Sequence, residues 1–145
     1  MSKSFIALCM AGLLAGLSSC GTKRNATASI DALNGEWRIV TVDGQAVKPA
    51  AGEKEAFIGF DVREMRIYGN TGCNNLLGGL QADAGRGTIS FAQAGSTRMM
   101  CADMTTEERV LGAFGKIEKY EITPDGRMTL MTAGGTAVMT LQKRK

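Results

Sequence analysis

The stretch that decides the fold is KYEITPDGRMTLMTAGGTAVMTLQ, residues 119–142. KYEIT and RMTLM read as paired strands around PDG, because Pro124 presets one backbone angle and Gly126 tolerates a positive one. AGGT then offers a two-residue turn into AVMTLQ, whose Ala137, Met139 and Leu141 are expected to face inward. Three strands joined by tight turns make an antiparallel meander. Everything upstream has to be compatible with it.

Most of the preceding chain is of the same kind. In EWRIVTV, Trp37, Ile39 and Thr41 alternate with Arg38, Val40 and Val42, and VDGQ turns the chain. Residues 49–55 read as a loop. FIGFDV and MRIYG follow as strands joined tightly at Arg63-Glu64, and TISF places Ile89 and Phe91 on one face. One segment differs. ADMTTEERVLGAFGKI has Thr105 and Glu108 at capping-box spacing, acidic residues in its first turn, and Val110, Leu111 and Phe114 at helical spacing. It predicts one helix of about ten residues ending near Gly115. The fold class is then mainly β: an antiparallel sheet with one α-helix covering a side or an open end.

The N-terminus carries Lys3, an apolar run of thirteen residues from Phe5 to Leu17, and then small residues. That layout predicts a secretory signal peptide over residues 1–19, too short to span a bilayer comfortably. Leu17-Ser18-Ser19-Cys20 resembles the lipobox of bacterial lipoproteins, in which the cysteine is acylated and becomes the first mature residue. Cys20 is therefore the expected lipid attachment, and residues 20–32, polar and small, the expected lipidated tether. Cleavage would leave 126 residues, room for one domain, and would lower the formal charge from +3 to +2. So small and scattered a charge argues against a nucleic-acid partner. The expected location is the cell envelope, with the chain a monomer held to the membrane, most naturally the outer one.

Cys9 leaves with the signal peptide and Cys20 takes the lipid, so Cys73 and Cys101 remain as a pair. They sit in GNTGCNN (69–75) and STRMMC (96–101). The chain has no histidine, which removes the usual base for a cysteine or serine nucleophile. Two cysteines without histidine cannot complete a structural zinc site, and neither belongs to a Cys-x-x-Cys redox motif. A disulfide is the reading left standing in an oxidising compartment. Closing this loop would stabilise the fold by roughly 3 kcal/mol in the chain-entropy picture. Met99, Met100 and Met104 surround Cys101 and raise the thought of Cu(I). Adjacent strand residues point to opposite faces, however, so core filling is the more economical expectation. Asn74 is expected to hydrogen-bond its own loop, and the nearby glycines to let strands bend around the disulfide. Glu107 and Glu108 are adjacent and do not face each other on a helix, so no carboxylate is singled out as an acid or base. No catalytic, cofactor or metal residue is expected.

Taken together, Leu33-Asn34-Gly35-Glu36-Trp37, Gly72-Cys73-Asn74, Ser96-Thr97-Arg98-Met99-Met100-Cys101 and the closing hairpins resemble the META-domain family, also called HslJ-like. The resemblance covers residues 33–142. It implies a small lipocalin-like half-barrel of antiparallel strands with one helix, with Gly72, Asn74, Thr97 and Arg98 in a structural loop motif. It also implies a non-enzymatic envelope role, with members linked to heat shock and antibiotic tolerance. Two functions are then expected. The first is a stress-related, membrane-anchored module that contacts another envelope protein. The second is a carrier of a small apolar ligand in the mouth of a curled sheet.

Overall fold

A computed structural model describes residues 29–49 and 51–145. The expected signal peptide, Cys20 and the tether through residue 28 lie outside the described residues. Residues 29–32, the end of that expected tether, belong to a capped turn: Ser29 accepts from the Asp31 N–H at the start of a 3-10 helix over Ile30–Leu33. Leu33 is fully buried, and its carbonyl accepts from the Trp37 indole at 2.7 Å, so the domain's first turn and first strand share one anchor.

Eleven strands follow: β1 (Gly35–Val42), β2 (Gln45–Ala46), β3 (Phe57–Asp61), β4 (Arg66–Asn70), β5 (Asn75–Gly79), β6 (Gln81–Asp83), β7 (Thr88–Ser90), β8 (Ala94–Ser96), β9 (Lys119–Ile122), β10 (Arg127–Met131) and β11 (Ala137–Lys143). One helix, α1 (Thr105–Phe114), lies between β8 and β9. The strands form one antiparallel sheet in the order β6-β7-β9-β10-β11-β1-β3-β4-β5-β8, with β2 attached to β1. β5 stands near one end of this order and β6 at the other, yet only Leu80 separates them in sequence. A single bent segment thus links the two ends, and the sheet curls back on itself into a half-barrel. Residues 75–96 are in effect one long hairpin. Its base pairs Leu77 with Gly95 and its tip pairs Ala82 with Ile89, with a bend between.

The inner face is lined by Trp37, Ile39, Val42, Ile58, Met128, Leu130, Met139 and Leu141, each at most 1% exposed. Phe60, Phe91 and Phe114 link strand β3, the β7–β8 bend and the helix, the last two rings stacked at 4.7 Å. α1 turns Val110, Ala113 and Phe114 into this core. Its Arg109 reaches the carbonyls of Val42 and Gln45, and Lys116 pairs with Asp43, so the helix closes the end of the curl where β1 finishes.

Two inward sets differ from the alternation expected from sequence, for one reason. The β1–β11 register shifts between Ile39 and Thr41, so Val40 is a bulge and Val42, not Thr41, continues the buried face. A second shift near Met131 makes Val138 the extra residue of β11; Val138 and Met139 are both buried and Ala137 is exposed. A bulge inserts one residue and reverses the facing of the residues beyond it. The AGGT turn is also longer than expected. Thr132 N–H donates to the Thr136 carbonyl and Gly135 N–H to the Thr132 carbonyl, giving a three-residue loop with Gly135 at φ +87°. The PDG loop repeats that geometry, with Gly126 at φ +79°. Both fit a type I turn followed by a left-handed glycine. Finally, the glycine-rich stretch read as a bend around the disulfide contains β5, and β8 forms in a segment with no strand signal.

Close approach explains one glycine in β4. Gly69 has φ +151°, and a Cβ there would lie 2.1 Å from the Phe57 carbonyl oxygen, a backbone atom that cannot step aside. Gly69→Ala should destabilise the domain by about 2–4 kcal/mol, from strain and overpacking together. Denaturant titration checks this: an unchanged midpoint would mean that β3 and β4 are not locked in the register described.

Candidate functional site

The region singled out by the two cysteines is a junction of three segments: the β4–β5 loop, the strap from Ser96 to Met104, and the first turn of α1. Cys73 and Cys101 are joined by a disulfide across 28 residues of sequence, with Cα atoms 5.9 Å apart. Gly72, at φ +123°, lets the loop run against the helix; a Cβ there would meet the Thr106 side chain at 3.0 Å. Its N–H donates to Asn70 Oδ1.

Asn74 is 2% exposed and ties the loop to the strap. Its Oδ1 accepts from the Met99 N–H at 2.7 Å and the Thr97 hydroxyl at 2.8 Å, and its Nδ2 donates to the Met99 carbonyl at 3.1 Å. The sequence expectation had Asn74 bonding its own loop. Instead it holds both backbone groups of Met99, acting as a strand partner would where no strand exists. Thr97 completes the link: its Oγ1 accepts from the Asn75 N–H, and its own N–H donates to the Asn75 carbonyl. Arg98, the remaining residue of the expected loop motif, is exposed and makes no ion pair among the described residues.

Glu107 is the residue that sequence reasoning missed. It is 3% exposed and is the one buried acidic residue among the described residues. Its Oε2 accepts from the Thr71 hydroxyl, the Asn74 N–H at 3.1 Å and the Cys73 N–H at 3.3 Å. Glu107 occupies the third position of α1, where a capping-box carboxylate would turn back to its own helix. Here it reaches outward and caps the neighbouring loop. The expected Thr105–Glu108 box does not form; Met104 is the N-cap without a side-chain bond, and Asp103 Oδ1 takes the Thr105 N–H at 2.8 Å. The signal for Glu107 lay in an acidic residue at a first-turn position next to an apolar stripe. Only the loop's position gives it partners.

Asp103, Asp61 and Asp125 have carboxyl groups held below their ordinary range. Hydrogen bonds from Thr105 dominate for Asp103, the Glu64 N–H for Asp61 and the Thr123 hydroxyl for Asp125. A carboxyl lowered in the folded state contributes stability that is present above its unfolded value and lost as pH falls through its folded value.

The methionines divide sharply. Met128 and Met139 are fully buried and fill the core as expected. Met99 and Met100 do not: they are 57% and 88% exposed. The strap is not a core-facing strand but an external loop, bound to the domain through the Met99 backbone, the Thr97 hydroxyl and the Cys101 disulfide and not through the Met99 and Met100 side chains. With Met104, Leu111, Arg98, Glu107 and Glu108 they border an open groove of about 390 Å³. The described residues contain no group of three His, Cys, Asp or Glu side chains placed to hold a metal. Chemically, the site offers a pinned apolar projection, not a poised nucleophile or acid–base pair.

Glu107→Ala should cost about 3 kcal/mol, because it leaves buried donors unpaired, while Glu107→Gln should cost less by keeping an acceptor. Equal losses for the two would show that the carboxylate's hydrogen bonds are not what stabilises the junction. Thermal stability should also fall as pH drops below about 4, and more shallowly in Asp103→Asn. Melting curves across that range check it; an identical acid profile for the variant would contradict the role given to Asp103.

A family model described as META domain matches residues 29–145. No curated protein matches the chain. Three solved structures show the same fold. An NMR structure of a protein from Burkholderia xenovorans is 20% identical, covers 100% of this chain and 99% of its own, and superposes with a TM-score of 0.63. Another NMR structure is 22% identical over 77% of this chain and 90% of that one, with a TM-score of 0.59. A crystal structure of a DUF4847 family protein from Bacteroides vulgatus is 14% identical, covers 81% and 100%, and gives 0.52.

Proposed function

We propose that this chain, which belongs to the META domain family, is a non-catalytic envelope module that binds another envelope protein through its disulfide-pinned strap. One observation carries the reading. Met99 and Met100 project into solvent from a backbone that the Asn74 side chain and the disulfide hold still. Large apolar side chains exposed together are unusual on a monomer and mark contact surfaces. Thioether chains adapt to varied partners, and a rigid support lowers the ordering cost of binding. Arg98 beside them, exposed and without an ion pair among the described residues, supplies a cation for the rim of such a contact.

The setting is inferred from the N-terminal sequence. Acylation at Cys20 would hold the module at the membrane, the segment to residue 28 would give it reach, and an oxidising compartment suits the disulfide. A stress-related role rests on the family resemblance. The second expectation, an apolar-ligand carrier, has less support: the positions a ligand would occupy inside the curl are filled by Trp37, Phe60, Met128 and Leu130.

A photo-crosslinking residue at position 98, in intact cells, tests the interaction. The same adduct should recur from this position and be absent from a control at exposed Ala133, in the β10–β11 loop. Indistinguishable labelling from the two positions would refute the strap as a contact surface. Intact mass of the membrane-extracted, unreduced protein tests the anchor. A chain beginning at acylated Cys20 is expected, and one beginning elsewhere without lipid would remove that part of the proposal.

A further inference from the structure

We propose that Met99 and Met100 are a site of oxidative modification, at which peroxide converts two apolar thioethers to polar sulfoxides and so weakens the contact surface without unfolding the domain. The second half rests on the interaction reading above; the first half does not. Exposure sets the chemistry. Met100 and Met99 are 88% and 57% exposed, Met65 in the β3–β4 turn is 43% exposed, and Met128 and Met139 are fully buried. Met104 is partly buried, and its sulfur already accepts the Cys101 N–H. Among the described residues, an oxidant in solvent therefore meets the strap's two thioethers first.

The step balances within itself. A thioether lone pair attacks one peroxide oxygen and an S–O bond forms as the O–O bond breaks. The sulfur is oxidised by two electrons, and the second oxygen leaves as water after proton transfer. The product is a polar, chiral sulfoxide where an apolar chain stood, a change that disrupts methionine-rich contacts. In a core such a change unfolds the surroundings. Here it does not, because nothing that holds the strap involves these two side chains. The Met99 N–H and carbonyl bond to Asn74, the Thr97 hydroxyl bonds to Asn74, and Cys101 is fixed to Cys73. The disulfide is already oxidised, so the same oxidant has no free thiol to consume among the described residues. The arrangement separates the group that reacts from the groups that maintain the backbone.

Limited hydrogen peroxide treatment of the purified protein, followed by peptide mass analysis, reads the first half. Sulfoxide at Met100 and Met99 should accumulate about tenfold faster than at Met128 and Met139, with the unfolding midpoint unchanged. Uniform oxidation of all these methionines, or a midpoint that falls as the strap is oxidised, would overturn the site. The second half is read by the crosslink from position 98. Peroxide should lower its yield several-fold in the otherwise unaltered protein and leave it unchanged in Met99→Leu/Met100→Leu. A yield that survives oxidation in both overturns the effect on binding while the interaction reading stands. No crosslink before oxidation overturns the interaction reading and the binding effect together, and the oxidation pattern is judged separately.

Discussion

One carboxylate oxygen joins the β4–β5 loop to the helix, and the surface of this protein depends on that joint. Glu107 Oε2 gathers the Thr71 hydroxyl and the N–H groups of Cys73 and Asn74, and those two N–H groups would otherwise be buried without acceptors. Burying a charge is costly unless it is hydrogen-bonded, and each buried donor is costly unless it is paired, so the two liabilities cancel only in this arrangement. With the loop fixed, Asn74 is fixed, and with Asn74 the backbone of Met99. The disulfide holds the same segments at a second point. The strap is therefore held for reasons that do not involve the Met99 and Met100 side chains.

That division of labour distinguishes the two ends of the molecule. At the sheet's centre, stability comes from packing: Trp37 and the inward residues of β10 and β11 fill the curl, and Phe60, Phe91 and Phe114 carry the contact up to the helix. At the junction, it comes from polar groups with few alternatives. There Glu107 Oε2 is engaged by the Thr71 hydroxyl and two loop N–H groups, and Asn74 holds the Met99 backbone. In the proposed reading, exposed methionines on a pinned backbone would give a contact firm in shape and tolerant in detail.

The curl itself has a simple mechanical origin. A sheet whose two ends lie on one bent hairpin cannot remain flat, and residues 75–96 are that hairpin. Glycines at the crowded positions permit the bend. A Cβ at Gly78 would lie 2.5 Å from the Gln93 carbonyl oxygen, which is why a stretch so poor in side chains can still be a paired strand. The fold shared with solved structures at 14–22% identity is consistent with a geometry set by a few such positions and by inward-facing bulk, with the rest free to vary.

Much of this was legible in residue order alone. The closing meander, one helix ending near Gly115, the cysteine pairing and a mainly β antiparallel sheet arise from turn chemistry, apolar period and arithmetic, all of which are local or nearly so, whereas the curl into a half-barrel was implied by the family resemblance. What only the tertiary structure decided was non-local. Bulges at Val40 and Val138 depend on the register of the partner strand, and no alternation within one strand reveals them. Strand β5 forms because β4 and β8 supply hydrogen-bonding partners on its two edges, and β8 because β5 does, not because either has strand-like composition. Glu107 and Met99 have ordinary sequence contexts. One became a buried acceptor and the other an exposed projection because of which segment the fold placed beside them.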